Sequence, residues 1–449
     1  MHRHTLAVGS ALALLACGGA ASAQTYDDVQ QKAVELYGNA QQYATQTWRR
    51  LFPEKVAICI GYGTEKETWL RQEVAKFEKN PDNKNLTVRL VPVGSLIGAE
   101  AIEKNAGRVG GGDGCTMTAW SPASAAYRDY VLQRTFRAIT VNGAEAPGIG
   151  SANDLLAAQA NSLVRIPLVF VVWPDTYKKV LDTAQKAGAT ATADSALFTF
   201  DNLIKTEQEA SGEGGYTTFF TTNPGESNSG FSALLLMAYE FTTTGRSGID
   251  ASQVAPRNNA FWSHVRQFYT SADGKSLKNF NADSTGTLFR EQFVVGGPQS
   301  DVSGVVSYEN LAIQYADLAR KTYSTSYRVV YPARSVTADN PYYVLNAVYD
   351  AAAHKTVLLP EKEKKAAIAF MQFLLEPEQQ KDAVALGFRP GNLQAGLDIA
   401  APGSPFVRLK EIGIQASPAG VRFVSTQSIG EAVIGNLLTG WNDLAGSLK

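Results

Sequence analysis

The strongest constraint in this chain is a repeated order of parts: an apolar run, a turn of small residues, then the start of a helix. Val56 to Ile60 is followed by Gly61-Tyr62-Gly63 and by Thr64 at the head of a helical pattern reaching Phe77, with Glu67 placed as in a capping box. Leu86 to Val91 leads through Pro92-Val93-Gly94-Ser95 into a short helix. Cys115 to Ala119 leads through Trp120-Ser121-Pro122-Ala123-Ser124 into another, with Ser121 as cap and Pro122 at the first helical position. That alternation predicts a parallel α/β sheet with its site at the carboxyl ends of the strands.

The same order returns at Thr221 to Thr244. Pro224-Gly225 makes a turn, Ser227 or Asn228 caps, and the helix that follows is apolar on almost every side until Gly245. A helix so enclosed must still satisfy its first free N–H groups. Ser227, Asn228 and Ser229 at a cleft floor would offer N–H groups, hydroxyls and the positive dipole end to a small anion; an ordinary capped core helix explains the same residues. Further on, Leu163 to Trp173, Thr217 to Thr222, Gly304 to Ser307, Tyr327 to Tyr331 and Tyr342 to Val348 read as strands, and Ile139 to Asn153 as loop.

At 449 residues the chain is too long for one core and predicts two domains. A formal net charge of −1 gives no reason to expect nucleic acid or an anionic membrane surface as partner. Residues 1–23 read as a cleaved leader: basic His2 and Arg3, an apolar Leu6 to Ala16 too short to span a bilayer, and Ala21-Ser22-Ala23 before Gln24. This places the protein in the periplasm or outside the cell; the rival reading is a lipoprotein anchored through Cys17. Residues 24–53 read as a polar helical arm. An oxidising compartment permits a Cys59–Cys115 disulfide, and two buried free thiols are the alternative. Gly-rich Asn105 to Gly114 lacks the Lys-Ser/Thr of a phosphate loop and reads as a surface connection.

Five motifs in register add a resemblance. Trp120-Ser121-Pro122-Ala123-Ser124, Thr222-Asn223-Pro224 with Asn228-Ser229-Gly230, Val306-Ser307-Tyr308-Glu309-Asn310, Tyr331-Pro332 and Gly387-Phe388-Arg389-Pro390 resemble bacterial extracellular solute-binding proteins. The molybdate-binding-like branch is the nearest in pattern, including members joined to a von Willebrand factor A domain. The resemblance covers roughly Lys55 to Asn392. It implies a two-lobe α/β fold of periplasmic-binding type II, each lobe a mostly parallel sheet flanked by helices, with hinge crossovers. Residues 54–164 plus 331–449 would form lobe 1 and 165–330 lobe 2. By matching positions, Gly63, Thr64, Ser95, Ser121, Ser124, Asn228, Ser229, Ser307 and Tyr308 would line the cleft.

Glu309 departs from the neutral donors of molybdate binders, since a carboxylate repels an anion unless neutralised. Three roles stand open: holding Arg165, orienting Tyr308, or selecting a ligand with donors or positive charge. Both residues also fit plain surface or helix-end electrostatics.

Catalysis fits the inventory poorly. His264 and His354, the histidines beyond the leader, have no Cys or second His at ligand spacing, and Ser229-Gly230 lacks the flanking glycines of a nucleophile elbow. The expectation is a monomeric, non-enzymatic binding protein without cofactor or metal. It would close on a small solute, an oxyanion by preference, and deliver it to a membrane ABC-transporter permease or a sensor. The alternative is an interaction protein that uses the same fold to grip a partner protein.

Overall fold

The computed structural model describes residues 54–448 apart from 192, 213–217, 243–247, 272–273, 279–283 and 427–428. The leader, the arm, Cys17 and Gly245 lie outside the described residues. Val56–Asn80 and Leu86–Lys449 belong to one unit, and both sheets lie in it.

The first sheet is built from β1 (Val56–Tyr62), β2 (Leu86–Pro92), β5 (Ala119–Ser121), β6 (Leu156–Ala160) and β12 (Tyr342–Leu345), in the order β2-β1-β5-β12-β6. β1 is parallel to β2 and β5, and β12 is antiparallel to both β5 and β6, so every strand but β12 shares one direction. The second sheet is organised around β7 (Val164–Val172), with β8 (Phe219–Phe220), β9 (Gly304–Tyr308), β10 (Arg328–Val330), β11 (Arg334–Ala338), β15 (Arg389–Pro390) and β16 (Arg422–Ser425). Here β7 is the one strand that opposes the rest. Its partners change around Pro167, which has no N–H to give a continuous ladder.

Alternation along β7 explains the core. Leu168, Phe170 and Val172 join the apolar core that includes the first sheet, while Val169 and Val171 face a second cluster with Trp173, Phe293, Ala312 and Tyr327. The helix Asn228–Thr242 is buried on nearly all sides, as its composition requires.

This is the two-lobe α/β arrangement that the resemblance implied, with a correction to the lobe boundaries. Residues 331–449 do not return wholly to the first sheet: β11, β15 and β16 pair with strands of the second. Of these, β11 and β16 have no long apolar run, and their ladder partners define them. Cys115 also leaves the main sheet, since β4 (Cys115–Thr116) forms a hairpin with β3 (Arg108–Val109) inside the glycine-rich connection. Tyr342 to Val348 is likewise two strands, because β13 (Ala347–Asp350) turns away to pair with β14 (Lys355–Leu358). The helix Ala126–Val141 runs on past Ile139, which was expected in a loop.

The chain passes between sheets at Asn161 to Leu163, at Asp339 to Pro341 and again before Arg389. These crossings lie side by side. Leu163 N–H donates to Asn340 O at 2.9 Å, and Gln380 Nε2 donates to Leu163 O at 3.0 Å. Gln380 Oε1 accepts the N–H groups of Gly391 and Asn392. Asn340 adopts φ 46°, a left-handed backbone that asparagine tolerates. Cys59 and Cys115 are joined in a disulfide that ties the hairpin to β1, which resolves the alternative left by the sequence.

Candidate functional site

The carboxyl end of β1 opens into Gly63, followed by a single turn Thr64–Lys66 and the helix Glu67–Lys79, with no side-chain cap from Thr64. Gly63 N–H donates to Ser121 O at 3.1 Å. A Cβ at Gly63 would stand 2.5 Å from Glu65 Oε1, so the Glu65 carboxylate would have to shift to admit one. The Glu65 carboxylate folds back against this turn and takes Lys66 Nζ at 2.6 Å. Lys66 is fully buried and also donates to Asn340 Oδ1 at 2.7 Å and to Pro122 O at 3.4 Å. Burial pushes the Lys66 ammonium down and Glu65 opposes the shift.

Ser95, Ser121 and Ser124 gather on this side of the seam, each hydrogen-bonded within the protein. Ser95 Oγ accepts Ala123 N–H at 3.1 Å. Ser121 does not cap a helix; its hydroxyl donates to Pro341 O at 2.8 Å, across a crossover. The helix starts later, at Ala126, because Ser124 Oγ takes the Ala126 N–H, and Ser124 also donates to Thr426 at 2.7 Å. Thr426 in turn donates to Asp339 Oδ2 at 2.7 Å. Burial pushes Asp339 up, and Arg165 is among the groups that oppose the shift. Arg165 thus acts on the crossover rather than on Glu309.

From the second sheet, the helix Asn228–Thr242 is capped from outside. Gly230 N–H donates to Thr222 Oγ1 at 2.9 Å, so neither Ser227 nor Asn228 satisfies it. Ser229, fully buried, bonds Thr222 Oγ1 at 2.7 Å and Thr285 Oγ1 at 2.6 Å. Asn228 Nδ2 lies 2.5 Å from the Tyr308 hydroxyl. Burial, with Glu65 as the charged neighbour, pushes the Tyr308 phenol up. Ser307 is fully buried at the end of β9.

Glu309 holds Arg389, not Arg165. β15 sets Arg389 across the ladder from Arg165, and the Arg389 guanidinium is the one that closes on the carboxylate, with Nε and Nη2 each at 2.8 Å. Tyr331 donates to the same carboxylate. Arg389 also donates to the carbonyls of Gln415 and Ala416 and lies over the rings of Phe406 and Phe423. Glu309 is therefore a buried anchor for the C-terminal segment.

Two further contacts bring the halves together. Asn310 Nδ2, at the head of the helix Glu309–Tyr323, donates to Glu65 O at 3.3 Å. Gly94 faces Glu226, where an added Cβ would meet the carbonyl at 2.9 Å. Three buried polar atoms here have no hydrogen-bond partner among the described residues: Asn228 Oδ1, Asn310 Oδ1 and Ser307 Oγ. The orientation of Asn310 is fixed, since Glu65 O requires a donor, so its free oxygen is an acceptor.

Sequence reading missed Lys66, Asn310 and Arg389 as members of this region. Arg389 and Asn310 lay inside quoted motifs, but Lys66 meets Asn340 across 274 positions of sequence. No local pattern signals such a pair.

Gly230 fixes the approach of turn and helix. A Cβ there would stand 2.2 Å from Thr222 O and 2.8 Å from Asn223 C and Pro224 N, all backbone atoms that cannot swing aside. Gly230→Ala is expected to cost about 1–3 kcal/mol in urea denaturation; a change below a few tenths would show that the turn yields freely.

No protein-family model matches the chain, and no curated protein matches it. Among solved structures, the maltose/maltodextrin-binding domain MalE from Bdellovibrio bacteriovorus is similar at 13% identity and a TM-score of 0.49, covering 88% of this chain and 95% of that one. The sulfate-binding protein SubI from Mycobacterium tuberculosis H37Rv is similar at 14% identity and a TM-score of 0.45, covering 83% and 96%. Maltose-bound T. maritima MalE3 is similar at 12% identity and a TM-score of 0.44, covering 86% and 99%. These are distant likenesses.

Proposed function

We propose that the chain is an extracytoplasmic solute-binding protein. It takes a small ligand at the seam between its two sheets by movement about the three crossings and presents it to a membrane ABC-transporter permease or a sensor. The observation that carries this reading is the meeting of Glu65 and Lys66 with Asn310, Tyr308 and Asn228 beside the crossing residue Asn340. Opposite halves of the molecule thus contribute to one polar seam. Opening it exchanges a few hydrogen bonds for water, and a ligand stabilises the shut state only by its preference for shut over open.

The ligand class follows from which groups remain to be satisfied. An oxyanion, the preference drawn from sequence, brings acceptors and needs donors. Lys66 is already held by Glu65, Asn340 and Pro122, and Arg389 by Glu309 and two carbonyls. The unpartnered Asn310 Oδ1 calls instead for a donor, and Ser307 Oγ accepts or donates. A neutral, hydroxyl-rich solute supplies both.

A second reading, an interaction protein that keeps the fold, is favoured by the internal pairing of Lys66 and Ser229, which fits a seam that stays shut. Isothermal titration of the chain from Gln24 with neutral mono- and disaccharides, molybdate, sulfate and phosphate separates them. Heat from one sugar class, with a decrease in radius of gyration by small-angle scattering, is the expected result. Heat from an oxyanion alone overturns the ligand class. Silence from all, together with a partner protein recovered by pull-down, overturns the binding role in favour of the second reading.

A further inference from the structure

A cavity of about 320 Å³ lies away from the seam and shares none of its residues. It is lined by Ser195, Ala196, Phe198 and Thr199, by Leu236, Tyr239 and Glu240 near the end of the helix Asn228–Thr242, and by Ala333 and Arg334 at β11. Its size is at the lower end of the roughly 300–1,000 Å³ typical of ligand pockets, so an occupant must be compact. Aliphatic and aromatic wall atoms from Ala196, Phe198, Leu236 and Ala333 favour an apolar body.

Glu240 places a carboxyl in the cavity wall, beside the polar groups of Ser195, Thr199, Tyr239 and Arg334. One carboxyl oxygen, Oε2, accepts Phe200 N–H at 2.9 Å, which holds the group on the wall. No hydrogen bond reaches Oε1 from any described residue. Burial pushes this carboxyl up to about 8, and Asp201 on the neighbouring helix pushes in the same direction. Asp201 itself faces His264 Nδ1 at 3.4 Å. Of the cations of this region, Arg334 lines the cavity from β11, and both Arg334 and Arg422 act on Tyr239. Once ionised, the Glu240 carboxylate beside the aromatic wall of Phe198 attracts a cation and repels an anion.

We propose that this cavity is a second ligand site, which takes a small organic ammonium with an apolar body and pairs it with the Glu240 carboxylate. Pairing requires the carboxyl to ionise, so at neutral pH one proton passes from Glu240 to solvent as the ammonium binds. Affinity then rises about tenfold per pH unit below the carboxyl's midpoint and levels above it. This inference does not rest on the seam as a binding site.

The test uses isobutylammonium as probe, with isobutanol and isovalerate as neutral and anionic matches. Calorimetry in two buffers of different ionisation heat reads proton release, and saturation-transfer NMR reads occupancy. The expected result is binding of the amine alone, close to one proton released at pH 7, and about a tenfold gain from pH 6 to 7. Glu240→Gln, which keeps an acceptor for Phe200 N–H, should lose at least tenfold in affinity and abolish the proton release. Equal binding of isobutanol, a flat pH profile, undiminished affinity in Glu240→Gln, or no amine binding at tens of millimolar would each overturn the proposal. Should Glu240→Gln not fold, proton release and pH profile in the unaltered protein decide the matter.

Discussion

Glu309→Ala lowers the free energy of unfolding by about 3–5 kcal/mol, the range for breaking a buried ion pair by removing one partner. The Glu309 side chain is fully buried, and Arg389 is 11% exposed. Without the carboxylate the guanidinium stays over the rings of Phe406 and Phe423, its charge met by the neutral carbonyls of Gln415 and Ala416 and no longer by an anion. Tyr331 loses its strongest acceptor in the same step. Urea denaturation monitored by tryptophan fluorescence reads the loss as a lower midpoint. The double variant Glu309→Ala/Arg389→Met should recover part of it, because the stranded charge goes too. A single variant costing under 1 kcal/mol, or a double variant worse than the sum of its parts, would show that the pair is not a structural anchor.

The second large effect belongs to the disulfide. Cys59 and Cys115 are 56 positions apart, and closing a loop of that length removes enough unfolded-chain entropy to stabilise the fold by about 4 kcal/mol in the entropic account. Measured losses cluster at about 2–4 kcal/mol, and Cys59→Ser/Cys115→Ser should fall there. The same loss should follow reduction of the unaltered protein, while the double serine variant gains nothing from oxidant. Two titratable thiols in unreduced, unfolded chain from Gln24 would remove the basis of the prediction.

Legibility in the sequence followed the range over which each signal acts. Val56 to Ile60, Leu86 to Val91 and the helix from Asn228 were readable because burial imposes period and composition locally, and the structure has them within a residue or two. β11, Arg334–Ala338, was not readable: it mixes polar and small residues and becomes a strand through pairing with Pro167 and Ile166 on one side and β16 on the other. Ser121 shows a subtler case. Its place at the end of a strand was evident, yet its hydroxyl goes to Pro341 rather than to a helix start, because a crossover 220 positions away passes within 2.8 Å.

What the sequence by itself determined is the alternation of strands and helices, hence an α/β fold, since side-chain period and turn chemistry act over a few residues. Only the tertiary structure decided that Lys66 faces Asn340, that Glu309 holds Arg389 rather than Arg165, and that Glu240 lines an apolar cavity. Each of those depends on which distant segments meet. Charge and hydrogen-bond partners act over a few ångströms of space, whatever the length of chain between them.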